Sequence, residues 1–171
     1  MKTSTRYLVQ GGIIAALYVV LTLVSAMLGL SGGAIQLRLS EALTVLPLFT
    51  PAAIPGLFVG CIVANTVTGC LPWDIVLGSL ATLLGALGTR YLSPNKWFAP
   101  VWPILANAVI VPFVLQKVYG APEAYWYLLI TVGIGEILSC GVAGMLLLNA
   151  VKRLSLFPLR DRRLPGAGDD L

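Results

Sequence analysis

Gln36-Leu-Arg-Leu-Ser-Glu-Ala-Leu-Thr-Val-Leu-Pro-Leu-Phe-Thr-Pro-Ala-Ala-Ile-Pro-Gly-Leu-Phe-Val-Gly60 is the stretch that decides how this chain folds. Arg38 and Glu41 stand three residues apart, and Pro47, Pro51 and Pro55 follow, between flanks that are long apolar runs. Charges and helix breakers are costly in lipid unless the backbone they disturb lines a cavity walled by protein. The stretch therefore reads as one wall of a small-molecule site. The rest of the chain builds the other walls and anchors them in a bilayer.

Composition sets the class. The 171 residues are 58% apolar and 11% charged, with no histidine. A soluble domain carries about 25% charged residues, so the reading is an integral membrane protein, all-α. The apolar run over residues 7–30 is too long for a signal peptide and lacks a small-residue cleavage pattern, so it is expected to be a retained first helix. Without histidine, triad and His-dependent acid–base chemistry are excluded. Cys61, Cys70 and Cys140 lack metal-site spacing and read as packed free thiols. No metal, cofactor or enzymatic activity is implied.

Outward from the central stretch, the spacing predicts helix 1 over 7–30 and a short or broken helix 2 over 41–49, kinked at Pro47. Helix 3 is expected over 51–69, helix 4 over 74–92, helix 5 over 97–115 and helix 6 over 122–151. Residues 1–154 form the membrane domain, and the charged tail over 155–171 is expected to be disordered. Six segments place both termini on one side. That side then collects Lys2, Arg6, Arg90, Lys96, Lys152, Arg153, Arg160, Arg162 and Arg163, leaving Arg38 and Lys117 opposite. This is the positive-inside pattern with cytoplasmic termini, as in a multi-pass protein of a bacterial plasma membrane. Trp97, Phe98, Trp102 and Tyr125–Tyr127 flank segment starts, as interfacial anchors do; Trp73, beside Asp74, stands apart.

The polar residues that remain inside are few. Glu136 lies about a dozen residues into helix 6, near mid-bilayer at 1.5 Å per residue. Its helical neighbours Gly133, Cys140 and Gly144 are small, so that face meets other helices. A structural carboxyl bonded to a neighbouring helix and a ligand-binding carboxylate both fit. Glu41 and Arg38 either pair with each other or close an outer pocket. Asn65 and Asn107 carry amides that need partners in lipid, from a helix or from a ligand. Asp74 follows Leu-Pro-Trp, where an N-cap of helix 4 would stand. Acceptors and amides without a cluster of bases suit a cation, or a heterocycle rich in N–H donors. Small residues form a second theme. Gly11/Ala15 and Gly12/Ala16 on helix 1, and Gly56, Gly60 and Ala64 on helix 3, permit close helix contact. On helix 3 this is bundle packing; on helix 1 a separate membrane subunit is the alternative.

The run from Arg38 to Cys61, followed by Asp74-Ile-Val-Leu-Gly-Ser-Leu-Ala-Thr-Leu, resembles the QueT family. These are substrate-binding (S) components of energy-coupling factor (ECF) transporters, associated with uptake of queuosine precursors, the 7-deazaguanines. The resemblance implies a membrane T subunit and two cytoplasmic ATPase subunits as partners, with the S component toppling to release substrate. It implies T-subunit contact at an Ala-x-x-x-Ala motif, here Gly11, Gly12, Ala15 and Ala16. Carboxylates and amides match a deazaguanine carrying an aminomethyl group, and Arg38, Glu41, Asn65, Asp74, Asn107 and Glu136 are the candidate substrate-binding residues. Alternatives are an S component for another vitamin and a stand-alone proton-coupled carrier using Glu136.

Overall fold

The computed structural model describes residues 3–31 and 35–154, and within them every regular element is helical. The tail expected over 155–171 lies outside the described residues. In order come α1 (Thr3–Met27), a 3-10 helix η1 (Leu39–Leu48), α2 (Ala53–Val67), α3 (Pro72–Tyr91) and α4 (Val101–Lys117). Then α5 (Tyr125–Glu136) runs through a π-helical turn at Ile137–Ala143 into α6 (Gly144–Arg153). Thr5–Met27, Pro72–Tyr91, Lys96–Lys117 and Tyr125–Arg153 are long and apolar enough to cross a membrane; η1 and α2 are shorter apolar helices. Large side chains such as Val20, Leu84, Val109, Ile130 and Leu146 point outward all round the bundle, the surface a multi-pass membrane protein presents to lipid.

The segment expected to be a short or broken helix 2 is wound more tightly than an α-helix. Pro47 cannot donate, and its ring would clash with a carbonyl four residues back in an α-helix. Thr44 Oγ1 also bonds the carbonyl of Glu41, three residues back. At about 2.0 Å per residue these 10 residues reach about 20 Å, where an α-helix would cover about 15 Å. Residues Ser40 to Pro47 are all buried, so η1 runs as a rod through the middle of the bundle. Leu43, Val45 and Leu46 join Leu57 and Leu148 in the apolar core around it.

Glycines set how closely the helices approach. A Cβ on Gly56 would lie 2.7 Å from the Gly11 carbonyl oxygen, and one on Gly60 would lie 3.0 Å from the Ala15 Cα. Thus Gly11 and Ala15 pack against α2, as the small residues of helix 3 lead one to expect. Gly12 has no neighbour within 4 Å of its Cβ position, and both it and Ala16 are exposed. The two small pairs of helix 1 therefore face different ways. On the opposite side, Gly85 and Gly88 admit Pro103 and Trp102 of α4.

Candidate substrate site

Glu41 sits near the head of η1 and is 2% exposed. Its Oε1 accepts a hydrogen bond from the hydroxyl of Tyr18 on α1, and its Oε2 accepts one from Asn107 Nδ2 on α4 at 3.4 Å. Of the two readings left open for Arg38 and Glu41, the mutual pair is not the contact made; both carboxylate oxygens of Glu41 are held by other helices. Across from it, Glu136 ends α5, where the π-helical turn begins. Such single turns concentrate at functional sites because they re-aim successive side chains. Here the turn buries both Ser139 and Cys140. Cys140 donates to Glu136 Oε2 at 3.2 Å and lies 3.5 Å from the Glu41 carbonyl oxygen. One donor atom each from Glu41, Glu136 and Cys140 lie within 4.8 Å of one another.

A strap of chain closes the outer side. Leu37 N donates to Leu30 O at 2.8 Å, Arg38 N to Ser139 Oγ at 3.2 Å and Leu39 N to Ser25 Oγ at 2.9 Å. Gly135 lets the strap pass, because a Cβ there would collide with the Gln36 carbonyl. The strap is thus stitched to α1 on one side and to the π-helical turn on the other. It brings Arg38 to a core cavity of about 10 Å³, lined also by Glu41, Asp74, Thr82, Asn107 and Glu136. That is room for little more than one water. An outer chamber of about 490 Å³ adjoins it, sharing Gln36, Arg38 and Asp74 and adding Asn65, Thr68 and Tyr119.

Of the residues singled out by sequence, Arg38, Glu41, Asp74, Asn107 and Glu136 line one cavity. Asn65 does not reach it. Its Nδ2 turns back to Cys61 Sγ at 3.6 Å, and the residue lines the outer chamber. Of the two roles open to Asp74, helix cap and ligand contact, the cap is not taken: Leu71 occupies that position, with Pro72 starting the helix. The Asp74 carboxylate is left to accept from Tyr119 OH at 2.7 Å, while that hydroxyl accepts from Leu71 N at 3.2 Å. Burial pushes the Tyr119 phenol up to about 12, so it remains a donor to Asp74 throughout the neutral range. Gly69 and Gly120 end α2 and α4 beside this cluster with positive φ (76° and 67°), the conformation glycine adopts at helix ends.

Sequence reasoning passed over Tyr18 and Cys140. Tyr18 did leave a signal, a phenol near the middle of the first apolar run and one turn before Thr22. Cys140 left none, since its spacing from Glu136 reads equally as packing. Three carboxyl groups and one guanidinium facing a single cavity favour a ligand that brings positive charge and N–H donors, because carboxyls this close in a buried site must take up either a proton or such a partner.

A family model described as "QueT transporter" matches residues 8–153. The chain belongs to the QueT transporter family. This is a family of transporters, not enzymes. A protein named "Queuosine precursor transporter QueT" from Lactococcus lactis subsp. cremoris (strain MG1363) is 37% identical over 86 residues. That match covers 49% of this chain and 50% of the relative, so about half the length of the relative is spanned. No solved structure matches the chain.

Proposed function

We propose that this chain is the substrate-binding component of an ECF importer for a queuosine precursor, a 7-deazaguanine such as the aminomethyl form. The observation that carries the reading is the meeting of Arg38, Glu41, Asp74, Asn107 and Glu136 on one buried cavity that opens, through the shared Arg38 and Asp74, on a chamber of about 490 Å³ with room for a heterocycle, in a QueT-family chain. A deazaguanine in the adjoining chamber would offer its N–H edge to Asp74 and its carbonyl to Arg38, and in the aminomethyl form would reach its cation toward Glu41 and Glu136. Six membrane crossings with cytoplasmic termini in the plasma membrane complete the picture, η1 and α2 being the short ones.

No ATP-binding motif is present in the sequence, and energy would come from a T subunit and two ATPase subunits. The T subunit would seat on the groove between α1 and α2. Tyr7, Leu8, Gly12, Pro55 and Val59 line that groove, an apolar hollow of about 170 Å³. Equilibrium binding of the purified, detergent-solubilised chain to 7-aminomethyl-7-deazaguanine tests the substrate, with guanine, thiamine and riboflavin as comparators. Selective binding of the deazaguanine supports the reading; preference for a comparator overturns the specificity. Uptake by cells lacking the ATPase subunits, driven by a proton gradient alone, would overturn the ECF assignment in favour of a stand-alone carrier.

A further inference from the structure

At the foot of η1 two backbone carbonyls lack their usual donors. Pro47 O would take an N–H four residues on, and Leu48 O one three residues on. Both positions fall on Pro51, which has no N–H. The neighbouring donors are committed elsewhere: Thr50 N to Leu46 O at 3.1 Å and Ala52 N to Thr50 Oγ1 at 3.3 Å. The missing donor comes from a different helix. Arg90, in the last turn of α3, directs Nη1 to Pro47 O at 2.9 Å and to Leu48 O at 3.3 Å. Arg90 is 8% exposed, although the charge pattern of the sequence groups it with the interfacial cations. A guanidinium suits this place because Nη1 alone carries two N–H bonds, one for each acceptor, and a charged donor makes the stronger bond.

The head of the same rod carries Glu41, six residues from Pro47 and so about 12 Å away at about 2.0 Å per residue. Every residue between them is buried, which leaves no loose link to absorb a shift. We infer that Arg90 is a positioning residue for the ligand site: by clamping the Pro47 and Leu48 carbonyls it fixes the height and rotation of η1, and through it the place where the Glu41 carboxylate meets Tyr18 and Asn107. The foot also ties to α1, since Thr50 Oγ1 donates to Gln10 Oε1 at 3.0 Å and Tyr7 OH to Pro51 O at 3.3 Å. The role in ligand binding rests on the function proposed above. The role in holding η1 does not.

The test compares the full chain in detergent as Arg90→Gln, Pro51→Ala and the double variant. Arg90→Gln should weaken deazaguanine binding at least tenfold and speed backbone hydrogen exchange over residues 39–49, with exchange in α4 and α5 unchanged. Pro51→Ala restores an N–H within reach of either carbonyl, so alone it should stay near wild type. In the double variant it should recover much of the lost affinity and protection. A donor placed at one backbone position would not rescue a residue that merely fills space. Wild-type exchange in Arg90→Gln, or a double variant no better than Arg90→Gln, overturns the inference. If Arg90→Gln fails to fold, a folded, binding double variant supports it and an unfolded one sinks it. If the wild-type chain binds no deazaguanine, the exchange comparison still decides whether Arg90 holds η1, and only the proposed function falls.

Discussion

Replacing Glu136 with Gln separates a ligand-binding carboxylate from a structural one. The side chain keeps its shape, and its contact with the Cys140 thiol, now at 3.2 Å, survives with an amide. What changes is charge. A hydrogen bond to an ionised group contributes about 1.5–3 kcal/mol and a neutral one about 0.5–1.5 kcal/mol. The loss for an ammonium-bearing ligand is therefore about 1–2 kcal/mol, or roughly 5–30-fold in Kd at 1.4 kcal/mol per decade. A ligand of the same shape without the cation, 7-cyano-7-deazaguanine, should lose little. Stability should not fall. Glu136 is 7% exposed, and a central charge costs about 2.5–3.5 kcal/mol on insertion scales, so a neutral amide is at least as easily buried. Titration calorimetry with both ligands and a melting curve in detergent give all three readouts. An equal loss for both ligands, or a variant that binds normally but melts early, would refute the assignment of Glu136 to ligand charge.

Tyr18→Phe removes the hydroxyl that donates to Glu41 Oε1 and deprives a buried acceptor of that donor. It should cost about 1–3 kcal/mol in unfolding experiments and lower ligand affinity several-fold. Gly60→Ala places a Cβ 2.9 Å from that of Tyr18, and overpacking of this kind costs about 1–3 kcal/mol. Its melting temperature should drop, and ligand binding should weaken because Tyr18 is displaced. Gly12→Leu starts in open space, since a Cβ there meets nothing within 4 Å. The isolated chain should fold and bind ligand as before, while co-purification with a T subunit is lost; intact assembly would remove the α1 groove as its seat.

Most of the architecture was legible because lipid leaves few options. Long apolar runs must be helices, and polar residues stranded among them must face one another. That logic grouped Glu41, Asn65, Asp74, Asn107 and Glu136, and all but Asn65 line the one cavity. It failed where a residue's partner is chosen by a distant helix. Asp74 reads as a cap from its neighbours Leu71 and Pro72, yet Tyr119, 45 positions on, claims its carboxylate. Arg90 reads as an interfacial charge because local sequence cannot reveal that Pro51 has emptied two carbonyls across the bundle. Gly11 and Gly12 are adjacent and chemically identical, and only the rotation of α1 against Gly56 decides which one remains outside.

The winding of η1 was the least legible feature, and it bears most on function. A 3-10 helix has poorer hydrogen-bond geometry than an α-helix, and runs beyond 3–4 residues are uncommon. This one persists for 10 residues because neighbours fill every side of it. Gly144 of α6 packs on Val45, Cys140 reaches the Glu41 carbonyl, Tyr18 and Asn107 hold the Glu41 carboxylate, and Arg90 holds the foot. Its conformation is therefore a property of the assembled bundle more than of the local sequence. A ligand that draws Glu41 toward itself pulls on the rod directly, and just beyond the rod's end Thr50 and Pro51 bond Gln10 and Tyr7 in the first turns of α1. In the proposed importer, that gives a physical path from an occupied site to the face where a partner would dock. It also predicts where that path is cut: at Arg90, with Tyr18 still in place.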